Sequence, residues 1–175
     1  MSLTDSLFST IDLRSFSNLW FWLVLAVAWS NVSHHVMGVP FDLVQRARRK
    51  SEEAMQDLEV LAAIHARRRM HILRTSGVWL IGFWTAVLTV LISLGFVHGF
   101  ELAQALALLL GPLSLAAGLG LRLAARVDGA SLTGPDLVRA LFRYRMLTQA
   151  IGLLAILITT LWGMWHNLSF SALRG

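Results

Sequence analysis

Four stretches of the chain, 19–39, 77–97, 102–121 and 146–165, contain no Asp, Glu, Lys or Arg and run for 21, 21, 20 and 20 residues. About 20 apolar residues rising 1.5 Å each match a hydrocarbon layer about 30 Å thick, so each stretch predicts a membrane-spanning helix. Between them the pattern changes. In 41–76, Ser51 followed by Glu52 and Glu53 predicts a helix start. Met55, Leu58, Leu61 or Ala62, and His65 then recur at helical spacing. No Gly or Pro interrupts until Gly77, so this helix is expected to run straight into the second span as an arm nearly 40 Å long (about 25 residues at 1.5 Å). In 122–145, Asp128-Gly129 reads as a turn and Gly134-Pro135-Asp136 as a helix start, with Leu137, Leu141 and Tyr144 leading into the last span. Ahead of the first span, Leu3, Leu7 and Ile11 predict a short amphipathic helix. The expected fold is all-α: one polytopic four-transmembrane-helix bundle with a helical cytoplasmic extension.

Charge orients this bundle. Eight basic residues lie in 41–76 (Arg46, Arg48, Arg49, Lys50, Arg67, Arg68, Arg69, Arg74) and five in 122–145 (Arg122, Arg126, Arg139, Arg143, Arg145), so thirteen of fifteen occupy two connections. The link 98–101 has none. Because basic loops stay in the cytoplasm, both connections are expected there and both termini outside. The residues before the first span carry Asp5, Asp12 and Arg14, the wrong sign for a secretory signal, so that segment is expected to be retained. Tryptophans agree with the orientation: Trp20, Trp22, Trp162 and Trp165 mark the outer boundary and Trp79 the inner one. Trp29 and Trp84 lie deeper and are expected to pack against helices or lipid.

Composition narrows the chemistry. Only 14% of residues are charged, against about a quarter in soluble domains. The absence of cysteine excludes disulfides, thiolate metal sites, covalent haem attachment and cysteine-ligated iron–sulfur clusters. Without aromatic residues among Arg67, Arg68 and Arg69, and with that run beside a bilayer, nucleic acid is not the expected partner. Arg46, Arg48, Arg49, Arg67, Arg68 and Arg69 are instead expected to meet anionic lipid headgroups or a protein partner.

Each span offers a stripe of small or weakly polar residues suited to helix packing in lipid. These are Ala28, Asn31, His35 and Gly38; Gly82, Thr85, Thr89 and Ser93; Ala107, Gly111, Ser114 and Gly118; and Gly152, Ala155, Thr159 and Gly163. Gly111-Pro112 predicts a packed kink.

The strongly polar run within a span is Asn31, His34 and His35. It reads either as a structural or interfacial cluster or as part of a haem site. Candidate haem b ligands form two stacked bis-histidine sites: His34 or His35 with His71 near the inner face, and His98 with His166 near the outer. No span carries a charged residue that would couple ions. No phosphate-binding loop, His/Glu metal motif or activated nucleophile is present either, and an enzyme is not expected.

The run Ser15-Phe16-Ser17-Asn18-Leu19-Trp20-Phe21-Trp22, then Trp29-Ser30-Asn31, Ser33-His34-His35 and Gly38-Val39-Pro40-Phe41-Asp42 resembles a family of small alphaproteobacterial inner-membrane proteins. Some of its members bear the label "component of SufBCD complex", a cytosolic iron–sulfur assembly machine. The resemblance is clearest over residues 11–50 and carries no catalytic or ligand residue with it. It implies a bacterial inner-membrane accessory protein whose cytoplasmic surface meets a soluble partner. A docking or assembly role through the basic arm is thus the leading expectation. A b-type haem electron-transfer protein and an oligomeric pore or carrier are the alternatives.

Overall fold

A computed structural model describes residues 19–49, 52–129 and 132–172. The expected amphipathic helix at Leu3–Ile11 lies outside the described residues. Among the described residues the fold is all-α apart from one tiny hairpin. Helix α1 (Leu19–His34) leads into strands β1 (His35–Val36) and β2 (Val39–Pro40), followed by α2 (Phe41–Arg48). Helix α3 (Glu52–Ile92) continues into a π-helical turn, Ser93–Val97, and α4 (Glu101–Asp128) and α5 (Gly134–Ala172) complete the chain.

Three helical stretches, Glu52–Val97, Glu101–Asp128 and Gly134–His166, are long and apolar enough to cross a membrane. The span of α3 is apolar on every side yet faces outward: Val78, Trp79 and Phe83 are 86%, 83% and 68% exposed. In water such a surface would drive aggregation, whereas a lipid layer solvates it. This is a membrane protein.

The first charge-free stretch divides. Its helix ends at His34, and the chain then reverses through Met37 (φ 58°) and Gly38 (φ 90°), both in the left-handed region that a two-residue hairpin turn requires. Sixteen residues rise only about 24 Å. The rest of the stretch is spent elsewhere, because Val36, Met37 and Val39 are almost fully buried. They join a core built from Leu43, Val44 and Ala47 of α2, Ala54, Leu58, Ala62 and Ala66 of α3, Leu123, Ala124 and Val127 of α4, and Leu137, Val138 and Leu141 of α5.

This core explains the path of α3. The helix runs unbroken from the arm into its span, as the lack of Gly and Pro implies. Its arm nevertheless does not stand alone. Ala54, Leu58, Ala62 and Ala66 recur every four residues, and three small side chains in that stripe let α2 and α4 approach closely. Both α4 and α5 continue past their charge-free stretches to meet it, forming a cap of packed helices at one end. Polar ties close the cap: Arg74 to Asp128 at 2.9 Å, and the Gly134 N–H to Glu59 Oε1 at 2.5 Å.

Within the charge-free region packing is sparser. Leu25 and Trp29 of α1 meet Leu109 of α4 and Ala155 of α5. Trp29 packs against Gly152, where an added Cβ would come within 2.7 Å of the indole. Pro112 sits inside α4 without ending it.

Candidate functional site: the basic cap

The six arginines expected to act together are divided by helical geometry. Successive residues on a helix point about 100° apart, so Arg67, Arg68 and Arg69 cannot share one face. Arg67 and Arg68 are exposed, and Arg67 Nε donates to the Ala63 carbonyl at 3.4 Å. Arg69 turns inward: its guanidinium and the Tyr144 hydroxyl converge on Gly120, at 3.2 and 3.0 Å from the position a Cβ would take. Arg46 pairs with Asp42 one turn earlier, at 3.3 Å. Arg49 lines a cleft with Arg46, Glu53 and Asp57. Arg48 lies over the Phe142 ring at 5.3 Å.

That last contact belongs to a cluster the sequence pattern does not show. Phe41 of α2 meets Phe142 of α5, with ring centroids 6.2 Å apart, and Arg145 stacks over Phe41 at 3.5 Å. Two cation–π pairs therefore fasten α2 to α5, each worth about 0.5–2 kcal/mol. No local spacing announces them, since Phe41 and Phe142 lie in different connections.

The outer face of α3 is the broad free surface of the arm. Opposite the buried Leu58 and Ala62, the exposed residues run Glu53, Gln56, Asp57, Val60, Ile64, Arg67, Arg68 and His71. Val60 and Ile64 are 61% and 48% exposed. The face thus presents an acidic start, an apolar middle and a basic end toward the span.

The expected inner and outer histidines lie at opposite ends of one chain segment: His71 is exposed on α3, and His98 lies about 40 Å further along it, 27 residues at 1.5 Å each. His98 Nδ1 stands 3.2 Å from the Ser93 carbonyl, and His166 Nε2 stands 3.6 Å from Glu101 Oε2 in a mostly buried pair. The backbone of His34 and His35 lies at the α1–β1 junction and Asn31 is exposed on α1. Among the described residues no group of three or more His, Asp or Glu side chains is placed to hold a metal ion.

A polar clamp at the far end was missed by a reading that sought charge. Gln104, buried in α4, donates from Nε2 to the Gly95 carbonyl at 2.8 Å and accepts from Trp162 Nε1 at 3.0 Å. It ties the π-turn, α4 and α5 together. Gly95 is required there, because a Cβ would come within 2.8 Å of the Gln104 backbone nitrogen. Neither a family model, nor a curated protein, nor a solved structure matches the chain.

Proposed function

We propose that this chain is a non-catalytic accessory protein of a bacterial inner membrane, crossing it four times and docking a protein partner on its cytoplasmic cap. Helix α1 is the short fourth crossing, accommodated by local thinning of the bilayer. The distribution of arginines supports a cytoplasmic cap with both termini in the periplasm. The observation that carries the docking role is the outer face of α3. Val60 and Ile64 are exposed on the rigid side of a packed cap, between acidic and basic turns that would set a partner's orientation. The resemblance over residues 11–50 adds a cytosolic assembly complex as the class of partner. With no cysteine in the chain, docking rather than cluster ligation is its contribution.

Photocrosslinking in native membranes tests this. A crosslinker placed at Gln56 or Val60, both exposed, is expected to trap a discrete protein adduct, and Ile64→Glu is expected to abolish it. Adducts to lipid alone would sink the docking role. A Soret band in protein purified from a haem-replete host would replace it with the b-haem reading, and selective flux in liposomes would replace it with the pore.

A further inference from the structure

Between the last turns of α4 and the first turns of α5 lies a cavity of about 600 Å³. Its wall carries Arg122 and Arg126 from α4 and Arg139 and Arg143 from α5, against a single carboxylate, Asp136. That carboxylate is already tied to Arg139. Arg122 and Arg143 thus bring to the wall guanidinium forks that Asp136 does not engage, and their geometry matches phosphate oxygens.

The cavity also has an apolar end. Leu119 of α4 and Leu147 of α5 line it, and one turn further along α4 Leu115 is 59% exposed. In sequence this is where the charge-free stretches stop: Arg122 is the first charge after 102–121, and Arg143 and Arg145 are the last before 146–165. Polar and apolar halves thus meet at the depth of lipid headgroups. A soluble phosphate ester would use the arginines and leave the leucines idle. A glycerophospholipid would use both.

We propose that this cavity is a specific site for an anionic glycerophospholipid. Its phosphodiester lies between Arg122 and Arg143, and its acyl chains lie along Leu119 and Leu147. The lipid bridges α4 and α5 where they leave the bilayer, and it tethers the cap to the membrane surface. The site rests on the reading that α4 and α5 cross a membrane.

The test uses the full chain in a neutral detergent, with thermal unfolding followed by tryptophan fluorescence. Phosphatidylglycerol is expected to raise the midpoint saturably, while phosphatidylcholine and glycerol phosphate do not. Arg122→Gln with Arg143→Gln is expected to weaken the apparent affinity at least about tenfold, since each charge-assisted bond is worth roughly that factor or more. Arg46→Gln with Arg49→Gln removes as much charge outside the cavity, from a surface where headgroup contact is non-specific, and is expected to weaken the affinity less than about twofold. Equal responses in the two double variants would overturn the site, because the effect would then be bulk charge. An equal shift with glycerol phosphate would overturn the lipid. Recovery of the protein in the soluble fraction after lysis would overturn the membrane reading itself, a result separable from membrane-resident protein that ignores phosphatidylglycerol.

Discussion

Gly38 shows how much one residue carries. At φ 90° it adopts a conformation L side chains rarely take, and a Cβ there would stand 2.8 Å from His65 Nδ1. Gly38→Ala is expected to destabilise the fold by about 1–3 kcal/mol, from backbone strain and the clash together. A double-mutant cycle with His65→Ala separates the two: the clash disappears in the His65→Ala background and the backbone part remains. An unchanged cost in both backgrounds would remove the contact with His65 from the account. Met37, at φ 58° and buried, shares the turn, and its side chain in the core compensates the strain that glycine would avoid. Gly38 falls on an expected helix stripe because the charge-free run continues through it; Pro40 signals a break, but the sequence does not show that the helix already ends at His34. Gln104 escaped for a different reason. It is a lone uncharged polar residue, and only the fold brings the Gly95 carbonyl and Trp162 to it.

At the scale of elements, apolar runs and helix breakers made the long helices legible, while helix faces were harder to assign. The stripe of α5 does pack: Gly152, Ala155, Thr159 and Gly163 are all buried. The stripe expected on α3 does not. Gly82, Thr85, Thr89 and Ser93 are exposed, and the two threonines satisfy themselves on the carbonyls of Ile81 and Thr85 one turn back. Small residues permit close approach without compelling it, and a threonine that bonds its own helix needs no neighbour. On α4, Ala107 packs, and Ser114 accepts a 2.6 Å bond from the Trp84 indole, while nothing approaches Gly111 or Gly118. The seat of Trp29 on Gly152 gives a direct test of how α1 is held. Leu25→Cys with Ala155→Cys, in a chain with no native cysteine, is expected to crosslink readily. Adding Gly152→Leu is expected to lower that yield severalfold, because the leucine occupies the space of the indole. Undiminished crosslinking would mean that α1 is held by other contacts.

Across the whole molecule, buried hydrophobic packing is concentrated in the cap. Its core draws on the hairpin and on all four of the helices α2 to α5, whereas among the described residues the charge-free region has a small cluster around Trp29. Orientation is a property of this scale, and single-cysteine labelling reads it. On the proposed topology, an impermeant thiol reagent added outside intact spheroplasts is expected to label Gly99→Cys, at the far end, and not Gln56→Cys, in the cap. The opposite pattern would invert the topology. The composite core also constrains how the protein is made. Val36, Met37 and Val39 emerge from the ribosome roughly 85 residues before Leu123 and roughly 105 before Leu141, which at about 5–20 residues per second is a wait of roughly 5–20 s. During that interval the hairpin has α2 and α3 for shelter but not α4 or α5. A chain terminated before Gly134 would leave the hairpin's apolar residues partly uncovered, and such a product is a natural substrate for membrane proteases. Completion of the final helix is thus the step that seals the first.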